Sequence, residues 1–231
     1  MLKVILKLKY EAAIFDLDGT LIDSTWVWHE IYKKFSEDFK IENNFNLEKI
    51  MHLPPTECCE KLKSIYNLKP SVDELKYMFY EIAYKLYSEK VELKPGVFEL
   101  LNLLKNDGVV MCLATSNHAK ISELILKKYE LFDFFSSFKY SDELKVNKQT
   151  AIIYLKSAEE IGVSPNNCVV FEDISEPFDD IKLHGMGFFG VNDRLQSLEV
   201  SKFLKFNSDC FIENYFDFIK NNYSNFFNVR V

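Results

Sequence analysis

Two carboxylates, Asp16 and Asp18, stand one residue apart at the end of the apolar run in AAIFDLDGTL (residues 12–21). Side chains at alternate positions of an extended backbone point to the same side, so both acids can face one site. Carboxylates can act as nucleophiles, carry protons or bind a hard metal ion. Asp18 followed by Gly19 is also typical of a tight turn, which is the structural alternative to a catalytic pair.

Further polar residues follow the later apolar runs of the chain in a fixed order. They are Thr115, Ser116, Asn117, Lys148, Glu172 and Asp173. Each alone has an ordinary explanation as a helix cap, a turn residue or a solvated charge. Independent caps and turns have no reason to supply acid, hydroxyl, lysine and acid in that order. Because ligands of parallel sheets bind beyond the carboxyl ends of the strands, we expect these residues to meet in one site.

Short apolar runs that alternate with helical patterns predict the elements that position these side chains. Runs typical of buried parallel strands cover residues 12–16, 109–115, 168–173 and 187–191. Apolar residues at helical spacing occur over residues 97–106, 119–129 and 149–161. This alternation predicts an α/β fold with a Rossmann-like core, in which helices form the two outer layers around a parallel sheet.

Residues 24–92 contain no clear strand and predict an inserted α-helical domain. Aromatic residues recur there at helical spacing, at Trp28, Tyr32, Phe35 and Phe39. Ser71 and Glu74 form a capping-box pattern before a second amphipathic stretch. We therefore predict a core domain of residues 1–23 and 93–231, with a helical domain of residues 24–92 inserted into it.

The composition narrows the class of protein. The chain has 231 residues, of which 48% are hydrophobic, and a formal net charge of −7, which argues against nucleic-acid and membrane-surface binding. The five cysteines show no CxxC spacing and are interpreted as reduced thiols. The N-terminal MLKVILKLKY fits neither a signal peptide nor a membrane span. The sequence predicts a cytoplasmic globular protein, and a monomer, because no heptad pattern favours an obligate dimer.

The motifs resemble those of the haloacid dehalogenase superfamily of phosphohydrolases over nearly the whole chain. DLDGT (16–20) is similar to the first motif, DxDx[TV], and LATSN (113–117) is similar to the second. Lys148 stands for the third motif, and FEDI (171–174) is similar to the acidic fourth. The helical insertion directly after the first motif resembles the cap of the β-phosphoglucomutase and phosphoglycolate phosphatase group.

The resemblance implies catalytic and metal-binding roles for the acids. Asp16 is expected to be the nucleophile that forms an aspartyl-phosphate, and Asp18 is expected to be the general acid and base. Mg²⁺ is the expected cofactor because it prefers hard oxygen ligands. Its expected ligands are Asp16, Glu172, Asp173 and the backbone carbonyl of Asp18.

The resemblance also implies which groups bind the phosphate. They are the hydroxyl of Thr115, the backbone N–H groups of Ser116 and Asn117 at a helix start, and the charge of Lys148. The stretch VNKQT (146–150) departs from the Gly-Lys-Pro pattern common in the family. An ungapped count selects Lys148 as the third-motif lysine, with Lys145 as the alternative.

The expected activity is Mg²⁺-dependent hydrolysis of a small phosphorylated metabolite, and the alternatives are a phosphomutase and a non-catalytic binding relative. Phosphomutases of this group carry a histidine in the first cap helix and an arginine in the cap. Trp28 falls where that histidine is expected, His29 is one residue out of phase, and no arginine occurs in residues 24–92. Cap lysines remain as possible point charges, at Lys61, Lys63 and Lys76. The sequence therefore favours the phosphatase.

Overall fold

Six parallel strands form the central sheet of the computed structural model, which describes residues 10–41, 55–146 and 148–227. In chain order, the strands within these ranges are β1 (Ala12–Phe15), β2 (Ile22–Asp23), β3 (Glu92–Leu93), β4 (Val110–Thr115), β5 (Ser137–Tyr140), β6 (Cys168–Glu172), β7 (Gly187–Val191) and β8 (Cys210–Ile212). The sheet has the order β5–β4–β1–β6–β7–β8, and all its neighbouring strands run parallel. The predicted α/β fold with a parallel core is confirmed.

Helices connect the strands and cover both faces of the sheet. Within the described ranges they are α1 (Thr25–Phe39), α2 (Pro55–Tyr66), α3 (Val72–Glu89), α4 (Val97–Asn106), α5 (Ala119–Lys128), α6 (Ser141–Leu144), α7 (Ile152–Glu160), α8 (Phe178–Leu183), α9 (Leu198–Asn207) and α10 (Tyr215–Asn221). Helix α4 has the predicted bounds, whereas α7 begins later than predicted because residues 148–151 form turns.

The central strand β1 shows why the fold has three layers. Ala13 and Phe15 pack into one hydrophobic cluster, and Ala12 and Ile14 pack into the other. Since successive side chains of a strand point to opposite faces, a strand buried on both faces reads as a continuous apolar run. The first cluster includes side chains from α4, α5 and α10, and the second includes side chains from α7, α8 and α9.

Two strands of the sheet were missed by the sequence analysis. Strand β5 has the sequence SFKY with a half-buried middle, and β8 is only three residues long. Both lie at the edges of the sheet, where one side of the strand has no neighbour in the sheet. Edge strands need no continuous apolar run, so a search for such runs passes over them.

The helices α1, α2 and α3 lie between the short strands β2 and β3 in the chain. These two strands pair antiparallel through Ile22 with Leu93 and Asp23 with Glu92, so the segment leaves and re-enters the core at adjacent points. Glu92 therefore belongs to a strand, contrary to the prediction that residues 24–92 contain none. The capping box of Ser71 and Glu74 is present at the start of α3.

Across the described ranges, no helix combines the length and the apolar character that crossing a bilayer requires. The N-terminal stretch MLKVILKLKY is interpreted above as neither a signal peptide nor a membrane span. Its residues 1–9 lie outside the described part of the chain.

Candidate active site

Three carboxylates converge at the carboxyl ends of the two central strands. Strand β1 pairs with β6, with Phe15 opposite Phe171, so Asp16 comes next to Glu172 and Asp173. All three acids are buried, and one ligand oxygen from each lies within 4.8 Å of the others. The neighbouring strand ends therefore bring together acids that are 157 positions apart in the numbering, 173 minus 16.

Lys148 is the cation of this carboxylate group. Its Nζ lies 2.5 Å from Oδ1 of Asp16 and 2.8 Å from Oε2 of Glu172, and the side chain is buried. The hydroxyl of Tyr154 donates to the same Oε2 at 2.9 Å. Burial alone lowers the pKa of Lys148, but the carboxylates of Asp16 and Glu172 outweigh it and raise the pKa well above its usual range. Lys145, the alternative, is exposed at the end of α6.

The donor set of the three acids fits a hard divalent cation. Burial, and then the Asp16 carboxylate, raise the pKa of Glu172 to about 8, although Lys148 opposes the shift. Burial and the carboxylates of Glu172 and Asp16 likewise raise the pKa of Asp173. Burial and the neighbouring carboxylates thus oppose the ionised forms of Glu172 and Asp173, a bound cation would favour those forms, and all the donor atoms of the three acids are oxygens. Asp16, Glu172 and Asp173 could therefore hold a metal ion.

Asp18 occupies a different environment from Asp16. Its Oδ1 accepts hydrogen bonds from the hydroxyls of Ser24, at 2.7 Å, and Tyr87, and its Oδ2 accepts one from Nδ2 of Asn117 at 2.9 Å. Burial and the Asp16 carboxylate raise the pKa of Asp18, and the three donors oppose this shift. Asp16 thus contacts a cation, whereas Asp18 is held by neutral donors, and the second acid is suited to carrying a proton.

Gly19 allows the loop that carries both acids to lie against Asp173. The residue has φ +77°, and a Cβ there would collide with the Asp173 carboxylate. Next in the chain, the Thr20 hydroxyl donates to Oδ1 of Asp173 at 3.1 Å, and the Thr20 carbonyl accepts from the hydroxyl of Tyr215 at 2.9 Å. The glycine therefore serves the close approach of two loops as well as the turn.

The second motif, residues 113–117, lies at the site, but the N–H of Asn117 is not available to a ligand as expected. The N–H of Asn117 donates to the Thr115 hydroxyl oxygen at 3.0 Å, so this N–H is already paired within the loop. Helix α5 begins at Ala119, and His118 is its N-cap. Ser116 is exposed, and its hydroxyl lies 3.2 Å from that of Ser141. The Asn117 side chain instead reaches Asp18, a contact the sequence did not predict.

Tyr87 is the contact to Asp18 that sequence analysis missed. It lies on α3, 69 residues from Asp18, and is buried in one row with Leu75, Phe79 and Ala83. That row has an i, i+4 spacing, which predicts a packing face. A tyrosine at the end of such a face still needs a partner for its hydroxyl, and this is the signal that points beyond packing.

Tyr87→Phe is expected to lower kcat about tenfold, because a hydrogen bond to a charged group is lost while Ser24 and Asn117 still hold Asp18. KM should not change, since Tyr87 contacts Asp18 rather than Thr115, Ser116 or Lys148, the groups expected to bind phosphate. Tyr84→Phe is the matched control: it removes a hydroxyl from the same helix at a side chain that is 42% exposed. Steady-state kinetics of both variants check this. Equal rates for the two variants would contradict a role of Tyr87 at Asp18.

Comparison with known proteins identifies the family of this chain. The family model described as haloacid dehalogenase-like hydrolase matches residues 13–191. A phosphorylated carbohydrates phosphatase of Thermotoga maritima is 30% identical over 177 residues, which cover 76% of this chain and 82% of that protein. Hexitol phosphatase B of Escherichia coli is 29% identical over 170 residues, covering 70% and 74%.

A solved structure extends the likeness to three dimensions. The crystal structure of a protein from Thermotoga maritima, assigned as a β-phosphoglucomutase, has a TM-score of 0.71 and 28% sequence identity to this chain. The match covers 89% of this chain and 95% of that one. The likeness therefore includes the segment between β2 and β3 as well as the sheet.

Proposed function

Because the chain belongs to the haloacid dehalogenase-like hydrolase family and is an enzyme of phosphate esters, we propose that it hydrolyses a small phosphorylated sugar or polyol through an aspartyl-phosphate. The observation that carries this proposal is the contrast between the two acids of the first motif. Asp16 lies against Lys148, and Asp18 lies among three neutral donors. One acid is therefore suited to attack and the other to proton transfer.

In the first step, a carboxylate oxygen of Asp16 forms a bond to phosphorus while the ester P–O bond breaks. The departing oxygen takes the proton that Asp18 carries. In the second step, a water oxygen attacks the phosphorus of the aspartyl-phosphate and its proton passes to Asp18. The P–O bond to Asp16 breaks as the new bond forms, so that inorganic phosphate leaves and the Asp16 carboxylate is regenerated. The raised pKa of Asp18 favours a protonated acid at the start of the cycle.

Asp16, Glu172, Asp173 and the backbone carbonyl of Asp18 would hold Mg²⁺. The ion, when bound, offsets the negative charge of the phosphoryl group and of the attacking carboxylate. Lys148 adds a fixed positive charge beside Asp16, and it keeps the Glu172 carboxylate oriented through a second hydrogen bond. Tyr154 supports the same carboxylate from α7.

Groups of the second motif complete the proposed phosphate site. The hydroxyl of Thr115, the N–H of Ser116 and the Nζ of Lys148 are the proposed donors to the phosphoryl oxygens. Asn117 has a different role in this proposal: its N–H is paired with Thr115, and its side-chain amide donates to Asp18 at 2.9 Å. One loop would thus bind the phosphate and orient the proton carrier.

We also propose that residues 24–92 act as a cap over a core of residues 1–23 and 93–231. The support is the position of this segment between the paired strands β2 and β3, and the reach of Tyr87 from α3 to Asp18. The five cysteines are free and buried, which supports action in the cytoplasm, where thiols stay reduced.

The side chains of this cap favour a phosphatase over a phosphomutase. Nζ of Lys63 donates to the carbonyls of Leu68 at 2.8 Å, Lys69 at 3.3 Å and Pro70 at 2.5 Å, so its three protons are used within the cap. Lys61 pairs with Glu57 at 3.2 Å on the surface. Neither lysine is placed to replace an arginine that clamps a second phosphate.

The residues at and next to the expected histidine position, Trp28 and His29, also favour a phosphatase. Trp28 is partly buried against the hydrophobic core, and His29 is exposed. An indole packed in this way offers no imidazole to a substrate, so residues 25–41 of the cap, which the structure describes, do not supply the histidine expected of a phosphomutase. Water should therefore reach the aspartyl-phosphate before a second sugar hydroxyl does.

We expect phosphate release from several hexose and hexitol phosphates to exceed isomerisation of β-glucose 1-phosphate by orders of magnitude. Both rates are measured on the same preparation, with Mg²⁺ and a catalytic amount of the glucose bisphosphate in the isomerisation assay. Faster isomerisation than hydrolysis would make the enzyme a phosphomutase. Absence of both activities over the whole panel would support a non-catalytic relative.

A further inference from the structure

A partly buried polar cluster ties the loop after β7 to both connections of the helical segment. We call it the hinge cluster, and it consists of Thr25, Lys94 and Asp193. Thr25 is the first residue of α1, and Lys94 directly follows β3, so they mark where the chain leaves the core and where it returns. The Asp193 carboxylate accepts from the Thr25 hydroxyl at 2.8 Å and lies 3.2 Å from Nζ of Lys94. One carboxylate of the core therefore binds both connections.

Lys94 also reaches the loop that carries Asp18. Besides Asp193, its Nζ donates to the carbonyl of Asn192 at 2.7 Å and to the carbonyl of Gly19. Two of the three ammonium protons therefore have carbonyl partners, and Oδ2 of Asp193 lies within ion-pair distance of Nζ without a hydrogen bond. The side chains of Lys94 and Asp193 are 13% and 1% exposed. Because the Lys94–Asp193 ion pair is largely desolvated and two carbonyls fix Nζ of Lys94, water does not readily replace the ammonium group at the Gly19 carbonyl.

The hinge cluster lies next in the chain to two groups of the proposed site. Gly19 follows Asp18, and Thr25 follows Ser24, whose hydroxyl binds Oδ1 of Asp18 at 2.7 Å. The space between these segments is already filled, because a Cβ on Gly19 would lie 3.0 Å from Cγ2 of Thr25. A shift of the hinge cluster would therefore move Asp18 relative to the Ser24 hydroxyl that donates to it.

The loop after β7 supports the proposed metal site as well. Nε2 of Gln196 donates to the carbonyl of Asp173, and to that of Val191 at 3.3 Å. On the surface, Nε of Arg194 lies 3.2 Å from Oδ1 of Asp23, the last residue of β2. The loop thus touches Asp173, both connections of the helical segment and, through Lys94, the loop of Asp18.

We propose that Lys94 and Asp193 are positioning residues for phosphoryl transfer, acting through the Gly19 carbonyl and Thr25 to hold Asp18 in register with the helical segment. Neither residue is assigned a contact with the phosphate ester. The kinetic part of this inference rests on the proposed function, and the structural part does not. The alternative is a buried ion pair that only stabilises the fold, and the two roles differ in what a variant changes.

The test compares Asp193→Asn and Lys94→Met with the control Lys182→Met. Lys182 forms an ion pair with Asp209 at 2.7 Å between α8 and the start of β8, and neither of these elements carries a proposed catalytic or metal-binding residue. Asp193→Asn keeps the side-chain shape and stays usable if Lys94→Met does not fold. Hydrogen exchange followed by mass spectrometry, and steady-state kinetics with a hexitol phosphate, are measured on each folded protein.

Asp193→Asn should accelerate amide exchange in residues 17–25 and 92–96 while β6 and β7 exchange as in the wild type. It should lower kcat by about 10- to 100-fold with KM unchanged, since misplacement of a catalytic group by about 1 Å can cost 10²-fold. Lys182→Met should change neither the amide exchange of residues 17–25 and 92–96 nor kcat. Wild-type exchange in those two segments, uniform acceleration over the chain, or an unchanged kcat per folded molecule would overturn the proposal. The exchange measurement needs no substrate, so it decides the structural part of this inference even if the proposed function fails, and the change of kcat at constant KM decides the positioning role.

Discussion

Asp16→Asn should abolish turnover, with a loss of at least about 10⁴-fold, because an amide cannot form the acyl-phosphate that the proposed mechanism requires. The substitution keeps the shape of the side chain, and Lys148 retains Glu172 as a partner at 2.8 Å. The fold should therefore survive, as judged by circular dichroism and thermal unfolding. Phosphate release is measured on protein whose mass spectrum excludes conversion of Asn back to Asp. Turnover within about 100-fold of the wild type would remove Asp16 as nucleophile.

Asp18→Asn should fail in a different way. General acid–base catalysis contributes roughly 10²–10⁴-fold, so the loss should be smaller than for Asp16→Asn. An aryl phosphate has a leaving group that needs no proton, so it should still phosphorylate Asp16 in this variant. Dephosphorylation should then be slow, because no base accepts the proton of the attacking water. Intact-protein mass spectrometry should show one added phosphoryl group on Asp18→Asn and none on Asp16→Asn.

Chelation of divalent cations should eliminate activity, and Mg²⁺ should restore it, because the phosphoryl group must approach a site that already holds three buried acids. Asp173→Asn should weaken Mg²⁺ binding by roughly 100-fold or more, given that loss of an outer-shell partner alone costs about 10–100-fold. Isothermal titration of the chelated protein with Mg²⁺ measures this directly. Full activity after exhaustive chelation would exclude a metal-dependent mechanism.

Although Asp173→Asn should weaken Mg²⁺ binding, it should raise the stability of the metal-free protein. Asp173 is buried beside Asp16 and Glu172, and its pKa is raised by burial and by both neighbours. Removing this charge relieves repulsion, so Asp173→Asn should unfold at a higher temperature than the wild type without metal, while gaining less from added Mg²⁺. Asp142→Asn, which removes a charge from the exposed surface of α6, is the control. A lower unfolding temperature for metal-free Asp173→Asn would contradict this account.

Most of the sheet could be predicted from the sequence because its signals are local. The central strands β1, β4, β6 and β7 are buried on both faces, so each is a short apolar run that needs no knowledge of its neighbours. The edge strands β5 and β8 were missed because they are short or half-buried. Tyr215, which no sequence motif singles out, also supports the Thr20 carbonyl.

The order of the motifs along the sequence determined the family, the α/β class and the acids Asp16, Asp18, Glu172 and Asp173 as candidates, because parallel strands bring their carboxyl ends to one edge. Only the tertiary structure decided that Lys148 and not Lys145 lies between the acids.

The structure alone also showed that Tyr87 reaches Asp18 across 69 residues, and that Lys94 reaches the Gly19 carbonyl across 75. Apolar runs and helix caps are encoded within a few neighbouring residues, and so they can be read directly from the chain. Contacts between a helix and a distant loop depend on how the helical segment packs back onto the core, and no local pattern encodes that.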